Sequence, residues 1–478
     1  MQEFDRSIFF EQIFSTLAPQ FHVHMPTGDD WKAHRKLVSE TMSTRFLHDA
    51  AAPQMWSSAI ALVELWKTKA KLAAGRPWDA ADDVFKGALD IVWAAIFGAD
   101  IGSTTAQAKF LERNGDLQLS SDIDEVVVFP TGEDPEDFTA ILELGQSEEY
   151  AAGSLWPKMS HWLAVNCLPS LRRAVKRKDK MIAEQLRAAY NKLTQLQAQD
   201  KLDLNKHFRS ALDLIVAKEV QMASREGRAV DVTNQVIRDE LFGFIIAGHD
   251  TTSTFICWTL KFLTDNRDAQ HKLYAALCSA FVGVTCGQSN ARPVPSTTEI
   301  SSTSIPYLEA VIEESGRLGL TSPATIRVTR CETEILGHRV PAGIDVFLSN
   351  AGPGCVSPLV GEVDDAKRSK GGMDQKQKWG MWDSEDIAQF RPERWLKEDQ
   401  EGHVCCDRDA GPANAFGSGP RACFGKKWAL LEIKIILTLI FWHFELQLTP
   451  AELSTHVAID GVTHRPAQTY VRLKEVTE

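Results

Sequence analysis

A chain of 478 residues, 44% hydrophobic and 24% charged, can bury a sizeable core as one large or two to three ordinary domains, which excludes a chain disordered throughout. Its formal net charge of −12 argues against nucleic acid as a general partner, because phosphate binding needs a basic footprint. The nine cysteines, at 167, 257, 278, 286, 331, 355, 405, 406 and 423, have neither metal-finger nor disulfide-framework spacing, so a reducing compartment is the simpler reading.

The opening MQEFDRSIFFEQIF sets acidic residues inside an apolar run and has no basic n-region, so it does not read as a signal peptide. From Gly28 to about Leu47 the pattern is helical, with Trp31 and Arg35 on one face. Helical patterns with short polar breaks continue for some two hundred residues, interrupted by a turn cluster at Gly132 to Pro135. The basic run LRRAVKRKDK at 171–180 opens a helix; it reads as a solvated face, with docking to an acidic partner or a membrane surface as the other option. The longest helix is expected from Val232 to about Thr264, nearly free of charge from Leu241 to Ile246 and again from Ser253 to Leu260 and therefore in the core, with AGHDTT at its middle.

Residues 284–304, rich in Ser, Thr, Pro and Gly, read as a loop. A helix over PYLEAVIEESGRLG follows, then the extended segments TIRVTR, TEILG, HRVPAG and IDVFLSN, which pattern as small hairpins. The polar segment 361–380 reads as a mobile surface insert. FGSGPRACFG, residues 416–425, leads into an apolar helix whose stretch Leu431 to Phe444 carries Glu432 and Lys434 and is too short to cross a bilayer. The tail from Glu445 to Leu473 alternates as terminal strands. There are no internal repeats, and the fold class expected is mainly α with small β-sheets gathered in the last third (α+β).

Three constellations stand out. In FGSGPRACFG, the glycines at 417, 419 and 425 let the backbone turn tightly and a flat partner come close to Cys423. Amide donors and the positive end of the following helix favour a thiolate there, and the plain alternative is a buried structural cysteine. Within AGHDTT, Gly248 is costly in a helix interior and Asp250 is costly to bury unpaired, so the stretch is a satisfied kink or a site. As a site, Gly248 leaves room for a ligand, and Asp250 and Thr251 pass protons to it. Glu314 and Arg317 share a helix face, and Arg394 completes with them a structural network with no chemistry of its own.

Taken in this order, the motifs resemble the cytochrome P450 family of haem-thiolate monooxygenases, over about residue 25 to the end. The loop matches F-x-x-G-x-R-x-C-x-G at Phe416, Gly419, Arg421, Cys423 and Gly425, continued by Ala429 and Glu432. AGHDTT matches the oxygen-activating helix, Glu314 and Arg317 the E-x-x-R pair, Arg394 its third member, and Trp31 with Arg35 the W-x-x-x-R of the third helix. The resemblance implies a single P450 domain over 1–478, with haem b between the central helix and the cysteine loop and Cys423 as the axial iron ligand. It places Arg421, Trp31, Arg35 and Arg327 at the propionates and Ala247 and Gly248 against the haem. It assigns proton delivery to Asp250 and Thr251, and pocket walls to Phe244, Ala247, Pro323, Ala324 and Val462, with His249 facing away from iron. The activity implied is insertion of one oxygen atom from O2 into a small hydrophobic substrate, in specialised metabolism, by a monomer fed by a separate NAD(P)H-dependent reductase. Trp31 stands close to Met1, where the family carries an anchor, first strands and two helices. The chain as given is therefore expected to be cytoplasmic, a longer form to sit at the endoplasmic reticulum surface, and the other reading is a haem-binding relic without turnover.

Overall fold

The computed structural model describes residues 3–199, 208–282, 293–361 and 363–476. Helices α1 (Ile8–Phe14), α2 (Asp29–Val38), α3 (Ala52–Ala73), α4 (Ala81–Phe97), α5 (Ser103–Asn114), α6 (Glu136–Ser147), α7 (Pro157–Cys167) and α8 (Pro169–Ala198) fill the first half. After them come α9 (Ala211–Glu226), α10 (Gln235–Asp265), α11 (Arg267–Ala280), α12 (Thr297–Ser302), α13 (Pro306–Gly319), α14 (Lys370–Trp379) and α15 (Lys426–His443). Among the described residues no helix is long and apolar enough to cross a membrane.

The 31-residue α10 organises this assembly. Asn234 caps it by accepting the Ile237 backbone N–H, and its interior is apolar on nearly every side. One end, with Leu241, Phe242 and Ile245, packs into a core built with α4, α6 and α8. The other end, with Ile256, Leu260 and Leu263, packs into a second core with α3, α13 and α15. The helix thus spans both cores, and its middle turn, between them, is where AGHDTT falls.

Strand β1 (Phe4–Arg6) pairs with β3 (Ala324–Thr329), whose other edge takes β6 (Asp345–Ser349), all antiparallel. In this register Arg6 lies directly opposite Arg327. Strand β2 (Trp78–Asp79) and β9 (Phe444–Gln447) flank β12 (Tyr470–Glu475). The pairs β4 (Thr333–Ile335) with β5 (His338–Val340), β7 (Leu396–Glu398) with β8 (Val404–Cys406), and β10 (Ala458–Asp460) with β11 (His464–Pro466) are hairpins.

The structure differs from expectation in three places. Strands are not confined to the last third: β1 and β2 lie early and take their partners from β3 and β12, pairings too short to leave a local period. Within 284–304, Thr297–Ser302 is helical because Ser296 and Glu299 form a reciprocal capping box, while residues 283–292 lie outside the described part. The 361–380 segment holds α14, capped by Ser369 and tied by Lys376 to Asp365 at 2.7 Å. Lysines at its C-terminal end complement the helix dipole.

Glu314 on α13 is fully buried and accepts five hydrogen bonds. Arg317 donates at 2.8 and 2.7 Å, Arg394 at 3.0 Å, the Arg391 backbone N–H at 2.9 Å and the Trp395 indole at 2.8 Å. The expected network is present, and it ties α13 to the chain that leads into the cysteine loop. Two residues along, Gly316 is where the start of that loop touches the helix: a Cβ there would stand 3.2 Å from Ala415, the residue just before it.

Two substitutions test this packing. Glu314→Ala strands two buried guanidiniums and is expected to cost about 3–5 kcal/mol in urea denaturation. A Cβ at Gly243 of α10 would stand 2.5 Å from the Phe21 ring. Gly243→Ala should therefore lower stability by about 1–3 kcal/mol, where helix propensity alone would raise it.

Candidate functional site

The cysteine loop closes on itself. Gly417 (φ 66°) and Gly419 (φ 68°) occupy the left-handed region that side chains disfavour. The Cys423 backbone N–H donates to Phe416 O at 2.8 Å, and that of Ala422 to Gly419 O at 3.0 Å. Gly425 then caps α15, so Sγ stands just before a helix N-terminus, as expected. The side chain opens into an internal cavity. Burial pushes the thiol up, only partly offset by the Gly425 backbone N–H and by Arg35, Lys426 and Arg6. A metal cation bound by the sulfur would reverse that balance.

The cavity, about 340 Å³, lies between α10 and this loop. From α10 it is lined by Phe244, Ala247, Gly248, Thr251, Thr252 and Phe255, whose helical spacing puts them on one face. Phe416, Arg421, Cys423, Gly425 and Trp428 line it opposite, and Ala324 and Arg327 of β3 close a side. Trp31 and Arg35 also reach the wall. Pro323 lies outside it, and Val462, 38% exposed, sits in the turn between β10 and β11. These two were placed by analogy along the sequence, whereas the wall is set by where β3 and the hairpin turn. Gly419 also stays outside the wall and serves the turn.

The space at Gly248 is already in use. A Cβ there would meet Val92 of α4 at 3.1 Å, so this glycine admits a neighbouring helix as well as facing the cavity. Thr251 donates to Ala247 O at 2.8 Å, leaving its oxygen lone pairs toward the cavity. Asp250 turns away from it, since successive helical residues diverge by about 100°. Its carboxylate accepts from Thr463 Oγ1 at 2.9 Å. His249 is buried with Nδ1 2.8 Å from Ile245 O, away from the cavity as expected.

Cations gather at one end of the cavity. Arg421 donates to Met25 O at 2.9 Å and stacks over Trp31 at 4.5 Å, while Arg35 lies 4.3 Å from the Phe424 ring. Arg6, which sequence reasoning missed, joins Arg35, Arg327 and Arg421 in the wall, and among the described residues no carboxylate does. Burial, with Arg327 and Arg35, pushes Arg421 down to about 10 despite Asp5. A thiol aimed into a flat apolar space beside four arginines without an acid suits a planar group that offers a metal to sulfur and carboxylates to guanidinium. The residues present fit haem.

Two buried carboxyls, Glu240 and Glu148, were also missed, and a third, Glu432, already matched to the continuation of the loop motif, is buried as well. Glu240 accepts from Nδ1 of His22 at 2.6 Å and of His34 at 3.0 Å; a charge inside ELFGFII was the available signal. Glu148 is pushed well up by burial and by the charge of Asp250. Glu432 meets Trp428 Nε1 at 3.2 Å and Thr252 Oγ1 at 3.5 Å, and burial pushes it up to about 8.

The cytochrome P450 family profile matches residues 9–352 and 382–469. A cytochrome P450 monooxygenase of Pestalotiopsis microspora, GME11363, is 40% identical over 99% of this chain and 81% of its own length. The monooxygenase TRI13 of Fusarium sporotrichioides is 33% identical over 99% and 82%, and xilC of Penicillium crustosum 30% identical over 100% and 80%. A crystal structure of a cytochrome P450, CYP102L1, superposes with a TM-score of 0.67 at 17% identity, covering 99% of this chain and 86% of that one, and bears on the fold alone.

Glu432 makes stability depend on pH. Its folded value of about 8 exceeds the 4.5 of an ordinary glutamate, so its stabilisation is complete below 4.5 and is lost as pH rises through about 8. Wild type should lose stability over that window with a slope of up to about 1.4 kcal/mol per pH unit from this group. Glu432→Gln should flatten the slope in urea titrations across that range; an unchanged slope would show that Glu432 ionises without cost.

Proposed function

The chain belongs to the cytochrome P450 family and is a haem-thiolate monooxygenase of the fungal kind that serves specialised metabolism, and from that premise we propose the finer assignments that follow. Residues 1–478 would form one P450 domain, a monomer, that would hold haem b through the Cys423 sulfur. Arg421, Arg35 and Trp31, with Arg327, would hold the propionates, and Phe416, Gly425, Ala247 and Gly248, which line the cavity, would pack against the haem. The observation that carries this reading is Cys423 opening into a cavity whose wall holds arginines and no acid.

Bound there, haem supplies the activation of O2, so that RH, O2, two electrons and two protons give ROH and water. The electrons come from a separate NAD(P)H-dependent reductase. The protein's part is proton supply and exclusion of water. Thr251, its own proton given to Ala247 O, accepts a hydrogen bond in the cavity and orders a donor there. Asp250, held by Thr463 at the back of the same turn, is the carboxylate through which protons enter. Glu314, Arg317 and Arg394 keep the loop in place without touching substrate. Phe244, Ala247 and Ala324 give the substrate an apolar wall, which selects a small hydrophobic molecule.

The α7 region supports the membrane-surface reading for a longer form. Leu155 and Trp156 are 90% and 67% exposed, with Met159, Trp162 and Leu163 beside them and exposed Arg172, Arg173 and Lys176 at the start of α8. The relic reading gains no support, because the family profile and the monooxygenase relatives match nearly the whole chain.

The test is a carbon monoxide difference spectrum of the reduced protein, expected to carry the Soret shift of thiolate ligation, followed by NADPH consumption with a reductase. Absence of that shift would sink the proximal assignment. Thr251→Ala should keep the spectrum while diverting at least half of the electrons to hydrogen peroxide; unchanged coupling would place proton delivery elsewhere.

A further inference from the structure

The end of α6 meets the middle of α10 at a junction closed by the β10–β11 hairpin. Gly145 lies against α10, where a Cβ would stand 3.5 Å from Ile246 and 3.9 Å from His249. Glu148 follows three residues later on the same face, 4% exposed, and the charge of Asp250 reaches it. Among the described residues no donor bonds the Glu148 carboxyl, and no cation pairs with it or with Asp250. Arg465 of β11 is taken by the exposed Glu149 at 3.4 Å. The other titratable groups around the junction are engaged elsewhere. His249 lies 2.8 Å from Ile245 O, His161 of α7 is held by Ser147 at 2.9 Å, Glu11 of α1 pairs with Lys158, and Arg177 of α8 pairs with Asp137. Two interacting carboxyls in a buried junction do not both ionise cheaply, so the pair retains one proton. Burial and the charge of Asp250 keep that proton on Glu148.

Building on the P450 reading and on proton entry at Asp250, we propose that Glu148 is the proton store behind Asp250, handing its proton to that carboxylate and taking another from solvent. The step balances. The O–H bond of Glu148 breaks, an O–H bond forms on Asp250, and the negative charge passes from Asp250 to Glu148 until a solvent proton cancels it. No oxidant, reductant or metal takes part. Thr463 donates to Oδ2 of Asp250 at 2.9 Å, which leaves Oδ1 without a donor among the described residues and open to the incoming proton. A buried acid kept only for packing is normally hydrogen-bonded, and Glu148 is not. The motif pairs Asp250 with Thr251 along one helix, whereas the acid behind them comes from α6, so this part of the route is specific to how these two helices meet.

The test uses the full chain as wild type, Glu148→Gln, Glu148→Asp, Asp250→Asn, and Glu149→Gln as an exposed control. Infrared difference spectra at neutral pH, wild type minus Glu148→Gln, should contain a protonated carboxyl C=O band. In Asp250→Asn that band should disappear at lower pH than in wild type, because the charge that holds the proton on Glu148 is gone. At saturating reductase, NADPH consumption should be about tenfold slower in Glu148→Gln, with a larger slowing in D2O, partly restored in Glu148→Asp and unchanged in Glu149→Gln. The wild-type rate should also fall at alkaline pH as Glu148 loses its proton, a limb that Glu148→Gln should lack. A missing band would overturn the proposal, as would a band whose titration ignores Asp250→Asn, a comparison that does not need Glu148→Gln to fold. Equal rates, pH profiles and D2O effects in wild type and Glu148→Gln would reduce Glu148 to a packed acid and overturn the relay. Absence of the carbon monoxide Soret shift in wild type would overturn the P450 reading on which the relay rests, an outcome distinct from these because the infrared band is measured without haem.

Discussion

A buried carboxylate with five donors, Glu314, is the constraint on which the proximal half of this protein depends. It is dry and charged, so its position is stable only while every donor is present. Those donors come from α13 and from the chain at 391–395, far apart in sequence, and their convergence fixes how the following segment approaches the cavity. Arg317 and Arg394 also lie over the ring of Trp382, so the polar network and its apolar cover are one unit. Because Gly316 brings α13 against Ala415, the same helix that carries Glu314 also supports the start of the cysteine loop.

The cavity end of the molecule shows the opposite electrostatic condition. Where Glu314 has all its donors, the arginines at the cavity have stacking partners and a few carbonyls but no acid in the wall. The thiol beside them is likewise held away from its charged form by enclosure. Haem, which offers a metal to the sulfur and two propionates to the guanidiniums, fits this lining. The folded chain and its cofactor are in this sense one electrostatic system.

The distal turn separates what a motif names from what a fold does with it. AGHDTT reads as a run of polar groups in an apolar helix, and as a string it treats Asp250 and Thr251 as a pair. In the folded chain only Thr251 enters the cavity, while Asp250 is taken by Thr463 and neighboured by the buried Glu148. Gly248 serves helix packing against Val92 as well as the cavity. The cluster of His22, His34 and Glu240 shows a buried charge compensated by a segment some 200 residues away, which no local pattern signals.

The sequence by itself determined the elements whose causes are local. These are the long apolar α10, α13 over PYLEAVIEESGRLG, the glycine-dependent turn around Cys423 with its following helix, and the spacings that put Trp31 with Arg35 and Glu314 with Arg317 on shared faces. Helical period, capping and left-handed φ depend on near neighbours, so they are written in short stretches of residues. Only the tertiary structure decided that Pro323 and Val462 stand outside the wall, that Arg6 enters it, and that burial pushes the Cys423 thiol up. Those outcomes follow from strand register, from which side of a helix meets the cavity, and from the degree of enclosure. Each is a relation between segments distant in the chain, and its energy is settled when they meet.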